Sequence, residues 1–340
     1  MKGIFQRYLT EIEKELQGAL PAPGEGLTPF YGMMSYHLGW ADERFQAIET
    51  ERGKRLRPLL CLLACEAVGG DYRLALPAAA AIELVHNFSL IHDDIEDRGH
   101  LRHHRPTVWH LWGEPQAINV GDGMLILAHL TLHRLLDRGV PPDKMSAVMR
   151  ALDAASLALC QGQYLDLSFE ERLDVAVEEY LVMVEGKTAA LIACATKVGA
   201  MLATDDEALI ERYRFFGGCL GLAFQMVDDI LGIWGDPRAM GKPTASDIAS
   251  KKKTLPIVYA LGLGARGKAL REIYGKEVLD EDDVQRVLGV LDELGARDYA
   301  QRMAEGYRDR ALAELEKTGI ENEAQKGLRE LAKFLTERVY

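Results

Sequence analysis

This chain has no basic excess, no long apolar run and no even set of cysteines. Its 340 residues carry 40 Lys and Arg against 52 Asp and Glu, a net charge of −12. General nucleic-acid binders display a broad basic face that neutralises phosphates, and this composition argues against one. Any polyanion must therefore meet local positive charge. No run approaches the roughly 18 apolar residues that span a bilayer. The start, MKGIFQRYLTEIEKEL, brings in acids too early for a signal peptide. The cytoplasm is the expected setting. The five cysteines, Cys61, Cys65, Cys160, Cys194 and Cys219, are scattered through apolar stretches such as LLCLLAC. They read as reduced core residues and not as a disulfide frame or a zinc site.

Asn-Gly hairpin signals and alternating strand runs are also missing, while the helical period is present throughout. With 48% hydrophobic residues the chain can bury a large core. Val284, Val287, Leu288, Leu291 and Leu294 recur at helical spacing, as do Leu328, Leu331, Leu335 and Val339. Ile4, Tyr8, Ile12 and Leu16 form a stripe that the Gly/Pro-rich segment PAPGEG (21 to 26) ends, so 1 to 26 reads as a helix and linker. Alanine- and leucine-rich stretches cover 55 to 97, 116 to 138, 142 to 168, 174 to 203 and 205 to 233. The fold class predicted is all-α. No polar linker divides the stretches after residue 55, which predicts one large helical domain over 1 to 340.

HNFSLIHDDIED holds Asp93, Asp94 and Asp97 at the end of an apolar segment. On a helix Asp93 and Asp97 share a face with Asp94 beside it, and unpaired they repel each other. A lone DDxxD is most often a solvated acidic face. Closing a core helix, it is also a cluster of hard oxygens that suits Mg²⁺, which keeps waters and completes its shell with substrate phosphates. FQMVDDILGIWGD repeats the arrangement with Asp228 and Asp229, and Asp236 lies just beyond. Two such clusters could hold two or three Mg²⁺ ions around a diphosphate and stabilise the charge that develops on a leaving group.

Basic residues concentrate in RGKRLRP (Arg52, Lys54, Arg55, Arg57), RHHRP (Arg102, Arg105), GKT (Lys187, Thr188) and GKPTASDIASKKKT (Lys242, Lys251, Lys252, Lys253). Beside two acidic clusters they read as diphosphate clamps, arginine by its bidentate fork and lysine as a point charge. Other apparent motifs fail on context. GLGARG (262 to 267) follows a helical stretch and reads as a helix end and turn, not a dinucleotide site. GDPRAMGKPT has five residues between its glycines and Pro243 where a P-loop needs Ser or Thr. His100, His103 and His104 have no HExxH or cysteine partner for zinc.

In order, GKRLRP, HNFSLIHDDIED, RHHRPT, GQYLD, GKT, FQMVDDILGIWGD and GKPTASD with KKKTLP closely resemble the trans-isoprenyl diphosphate synthases, the polyprenyl synthetase family. The match runs from about residue 30 to the C-terminus. The resemblance implies an isoprenoid synthase fold, long antiparallel helices around a deep central cavity. It also implies a homodimer, with the aspartate clusters facing each other across the cavity mouth. It implies that Asp93, Asp94, Asp97, Asp228 and Asp229 hold Mg²⁺ and that Lys54, Arg57 and His86 bind isopentenyl diphosphate. Arg102, Lys187, Thr188, Gln225, Lys242 and Lys252 would engage the allylic diphosphate, and Gln163 and Asp166 would line the cavity.

The sequence departs from the family pattern twice. His103 stands where the family usually has a second arginine, serving isopentenyl diphosphate, and neutral imidazole is the weaker clamp. Gly232 stands where the second motif often has a third aspartate, a place Asp236 could take through water. The implied reaction is prenyl chain elongation. Diphosphate leaves the allylic substrate, the isopentenyl double bond attacks the resulting cation, and a proton is lost, with no side-chain nucleophile. A class I terpene cyclase would have no use for the second diphosphate site, and a non-catalytic regulatory subunit would not need the aspartates. In the resembled family, side chains four and five positions before the first aspartate form the cavity floor. Here these are Ser89 and Phe88, a pattern closest to twenty-carbon synthases, with fifteen carbons as the alternative.

Overall fold

The computed structural model describes all residues except 1, 49–52, 54, 237–244 and 337–340. Among the described residues the protein is 75% helical with almost no sheet. The N-terminal stripe forms α1 (Lys2–Ala19), burying Tyr8, Ile12 and Leu16, and the exposed Gly/Pro segment follows it. Next come α2 (Thr28–His37), α3 (Leu56–Ala67), α4 (Leu76–Glu96), α5 (Val108–Trp112), α6 (Glu114–Asp137), α7 (Pro142–Phe169), α8 (Val177–Val184), α9 (Ala190–Ala203) and α10 (Glu207–Trp234). The C-terminal stripes become helices Glu281–Glu293 and Glu323–Thr336, burying Val287, Leu291, Leu328 and Leu335. Val339 lies outside the described residues.

Packing divides the chain into two compact units. One comprises Met1–Asp153, Ala195–Ile210 and Asn322–Ala324. The other comprises Ala154–Cys194, Glu211–Glu321 and Gln325–Tyr340. In the first, α4 packs on α6, α3 and α1. Its buried polar centre is Arg55, at the N-terminus of α3 with left-handed φ of 47°. The guanidinium donates to Glu13 Oε1 of α1 at 2.7 Å, Glu83 Oε1 of α4 at 3.1 Å and the Leu38 carbonyl at 3.1 Å. Trp40 Nε1 donates to the other oxygen of Glu13, and Asn87 Nδ2 to Glu83. In the second unit, Val184, Met226, Val227, Ile230, Leu255 and Val258 form one core cluster and Ile233, Ile248, Ile257, Leu270 and Leu291 another.

Two expectations need correction. Leu101–Arg102 pairs with Arg105–Pro106 as a short antiparallel hairpin, although the sequence shows no strand signal there. A two-residue hairpin turn of this hand needs positive φ at both central residues. His103 (50°) and His104 (62°) supply it without glycine, a conformation in which histidine is enriched. The second correction concerns apolar length. Tyr72–Glu96 and Glu207–Trp234 reach the length and mean hydropathy of a membrane span, 1.5 and 1.4, because the average tolerates the polar residues that interrupt their apolar runs. These segments are 78% and 61% buried inside the protein, as core helices are.

Arg55→Ala strands the carboxylates of Glu83 and Glu13 in the interior. It should lower unfolding free energy by about 3 to 5 kcal/mol in urea denaturation. A loss below about 1 kcal/mol would mean that water already solvates the network.

Candidate active site

The first carboxylate cluster ends α4. Asp93 and Asp94 occupy its last turn and Asp97 is its C-cap residue, at the negative end of the helix dipole, where further negative charge is unfavourable. Arg102 offsets this from the hairpin. Its Nε donates to Asp94 Oδ1 at 2.8 Å and its Nη2 to Asp93 Oδ2 at 3.0 Å. Asp94 is buried, which pushes its pKa up to about 6 despite the guanidinium. Its Oδ2 is buried with no hydrogen-bond partner, and Asp97 is exposed.

His86, two turns before Asp93, is partly buried. Burial holds it neutral, reinforced by the charges of Arg57, Arg102 and Arg55 and by His37. Arg57 Nε is buried without a hydrogen-bond partner. His37, at the end of α2, is part of this group although nothing in its local sequence marks it. Burial, then Arg102, Arg55, His103 and Arg105, bring its pKa down to about 3. His103 itself is exposed at the hairpin turn. Phe88 is 5% exposed and meets the His92 ring edge-on at 5.7 Å, and Ser89 Oγ donates to the His86 carbonyl.

The second cluster lies on α10. Asp228 is partly buried and Asp229 is 5% exposed. Asp229 Oδ2 accepts from Tyr180 Oη at 2.6 Å and from the Leu255 amide at 2.8 Å, and Oδ1 accepts from Gln225 Nε2 at 2.9 Å. Burial outweighs these donors and lifts the Asp229 pKa to about 7. Gln225 Oε1 accepts from Thr188 Oγ1 at 2.8 Å. Thr188 and Lys187 sit in a single π-helical turn, Glu185–Ala189. That turn lies directly on Gly162 of the GQYLD motif, where a Cβ would come within 2.1 Å of the Lys187 amide nitrogen. From the same motif Asp166 pairs with Lys187 Nζ at 2.5 Å. Gly232 also has a spatial explanation. A Cβ there would lie 1.9 Å from Asp247 Oδ2, so a carboxylate from GKPTASD occupies the space beside that turn of α10. Asp236, expected to substitute, is exposed at the helix end.

The basic clusters sort into structural and exposed groups. Arg55 is committed to buried carboxylates. Arg105 donates to the Tyr36 and Ala41 carbonyls, Lys251 to the Lys276 carbonyl and Lys253 to the Glu170 carbonyl. Arg55 and Lys253 are buried, and a buried cation is first claimed by the nearest acceptors, which sets them apart from the clamp reading. Arg105 is partly buried and Lys251 makes its bond at the surface. Lys252 is exposed. Lys54 and Lys242 lie outside the described residues.

The donor set fits Mg²⁺. Among the described residues no three His, Cys, Asp or Glu side chains form a closed cage. Mg²⁺ does not need one, since it binds through one or two carboxylates with water and phosphate. The unsatisfied buried oxygen of Asp94 is the kind of acceptor such an ion would meet.

The polyprenyl synthetase family model matches residues 39–291. The chain is 42% identical over 313 residues to the (2E,6E)-farnesyl diphosphate synthase of Mycobacterium tuberculosis strain H37Rv, covering 90% of this chain and 85% of that protein. It is 38% identical over 318 residues to the geranylgeranyl diphosphate synthase of the same organism, covering 92% and 88%. The crystal structure of a polyprenyl synthetase from Streptomyces coelicolor A3(2) matches with a TM-score of 0.89 at 37% identity, covering 97% of this chain and 98% of that one. The chain belongs to the polyprenyl synthetase family, with its all-α isoprenoid synthase fold. It is a prenyltransferase.

The folded protein keeps His37 and His86 neutral, whereas the unfolded chain protonates its histidines below about pH 6.5. Their contribution to stability is complete above that pH and is lost as pH falls. Asp94 and Asp229, with raised pKa values, act in the opposite sense. They bind protons in the folded state first, so stability falls as pH rises from about 4 towards 7. The net slope of the parent is therefore shallow, and a variant separates the contributions. Relative to the parent, His37→Gln should gain roughly 1 to 2 kcal/mol between pH 7 and pH 5 in paired urea titrations. A difference that stays constant with pH would show His37 to be freely protonated in the folded state.

Proposed function

We propose that this enzyme condenses isopentenyl diphosphate with an allylic diphosphate in the cytoplasm, giving an all-trans product of twenty carbons, with fifteen as the alternative. The observation that carries this reading is that Arg57 and Arg102 both act on His86 while Arg102 binds Asp94, which places an open anion donor and an open cation acceptor around one histidine. Arg57 and Asp94 each have a buried polar atom without a partner, the first suited to an anion and the second to a cation. Arg57 and His86, with Lys54, would hold isopentenyl diphosphate, and exposed His103 would border the same substrate. Arg102, Lys187, Thr188, Gln225, Lys242 and Lys252 would hold the allylic diphosphate. Mg²⁺, two or three ions held by Asp93, Asp94 and Asp97 and by the pair Asp228 and Asp229, supplies charge stabilisation for the departing diphosphate.

The chain's own residues position the reaction. Arg102 bridges Asp93 and Asp94, and in this reading its guanidinium turns to the allylic phosphate oxygens when substrate binds. Uncharged His86 can donate one hydrogen bond to a phosphate oxygen at little desolvation cost. The bond from the allylic carbon to diphosphate breaks, the isopentenyl double bond attacks the allylic cation so formed, and the released diphosphate takes the proton. Homologues named farnesyl and geranylgeranyl synthases support both product lengths. The homodimer belongs to the same reading, supported by the exposed apolar strip Ile118, Ile126 and Leu130 on α6.

Asp94→Asn should cut turnover by roughly 10² or more, and EDTA should reproduce the loss. Full product formation from labelled isopentenyl diphosphate under either condition rules out the metal-dependent mechanism.

Phe88 is buried five residues before Asp93, about 7.5 Å back along α4. In this reading the growing chain passes Ser89 and stops there. Phe88→Ala should lengthen the product and Ser89→Phe should shorten it, as read by chromatography of the dephosphorylated alcohols. An unchanged product distribution in both would place the floor elsewhere.

A further inference from the structure

We propose that His37 is a further binding residue for isopentenyl diphosphate: its ring donates a hydrogen bond to a phosphate oxygen and takes over part of the work that a second arginine at position 103 would do. The proposal rests on the assignment of Arg57 and His86 to that substrate and adds a residue from α2 to the same group.

His37 is the last residue of α2, and the backbone on both sides of it is held by arginines from the RHHRP and RGKRLRP motifs. Arg105 of the hairpin donates to the Tyr36 carbonyl at 3.0 Å and to the Ala41 carbonyl at 2.6 Å. Its guanidinium also lies 4.0 Å from the centre of the Tyr36 ring, and Tyr36 Oη donates to the Pro106 carbonyl at 2.8 Å. Arg55, at the start of α3, donates to the Leu38 carbonyl at 3.1 Å. The hairpin that carries Arg102 and the helix that carries Arg57 are therefore both fastened to the short stretch 36–41, which carries His37.

The ring sits among cations and is left open. It is partly buried, and among the described residues neither it nor the His86 ring makes a hydrogen bond to protein. Arg102, Arg55, His103 and Arg105 act on His37, and His37 acts on His86 together with Arg57. Arg55 is committed to carboxylates and Arg105 to carbonyls, whereas Arg57 keeps its Nε buried without a partner. Polar groups inside a protein are ordinarily paired. An unpaired guanidinium nitrogen beside two open imidazoles is an arrangement that an oxyanion completes. Burial and the neighbouring cations keep the His37 ring uncharged, so it supplies an N–H without adding to the repulsion among the arginines. His103 is exposed at the hairpin turn, and His37, partly buried beside the same arginines, is the less hydrated donor of the two.

The test measures steady-state kinetics with each substrate varied in turn, and calorimetric binding of isopentenyl diphosphate without an allylic partner, so that no turnover occurs. His37→Phe keeps a planar ring and removes the donor. It should raise KM and Kd for isopentenyl diphosphate about tenfold, the loss of one hydrogen bond to a charged group, while KM for the allylic diphosphate stays within about twofold. His37→Asn and His37→Gln place an amide N–H near the positions of Nδ1 and Nε2, and at least one of them should return both constants to within about threefold of the parent. Unchanged constants in His37→Phe, equal rises for both substrates, or failure of both amides to rescue each overturn the proposal. If His37→Phe does not fold, the amides decide between themselves. One parental and one weakened about tenfold supports the hydrogen bond, and two alike reject it. Arg57→Ala separates this role from the reading beneath it, and should raise KM and Kd for isopentenyl diphosphate about tenfold or more. Parental constants in Arg57→Ala overturn the site assignment and His37 with it. A rise in Arg57→Ala with none in His37→Phe removes the role of His37 alone.

Discussion

Carboxylates at the C-terminal end of an apolar helix are placed where both the helix dipole and burial oppose their charge. Much of the architecture around the candidate site compensates for that placement. At α4 the compensation is one guanidinium, carried on a hairpin and bridging Asp93 and Asp94. At α10 it is a set of neutral donors converging on Asp229. A guanidinium can be exchanged for a metal ion and a substrate without leaving a hole, whereas buried neutral donors cannot. The two clusters look alike in sequence and differ in what it costs to disturb them.

Buried cations follow the same logic. Arg55 sits at a left-handed position with two carboxylates and a carbonyl around it, which ties α1, the end of α2 and α4 to the start of α3. Arg57, two residues on, keeps an unsatisfied Nε. Within one short motif, then, one arginine is committed to interior carboxylates and the other keeps a buried donor without a partner. In KKKT, Lys251 and Lys253 bond to carbonyls and Lys252 is exposed.

The helices were readable because periodic apolar residues leave a helix few places to sit. Tyr8, Ile12 and Leu16 were named from spacing and are buried. The hairpin was not readable, because its turn rests on positive φ at two histidines and on Arg102 and Arg105 gripping groups elsewhere in the chain. His37 was missed because its surroundings come from residues remote in sequence. Gly232 could be seen as a departure from a pattern, but that Asp247 occupies the space beside it is visible only in three dimensions.

Sequence alone determined the all-α class, the family, and the aspartate, basic and glycine motifs in their order, because each depends on residue type at short spacing. Tertiary structure decided what each charged group is free to do. Whether an arginine, lysine or aspartate meets a substrate or a neighbouring carbonyl depends on which acceptors and donors the fold brings within about 3 Å, and a local motif does not contain that information.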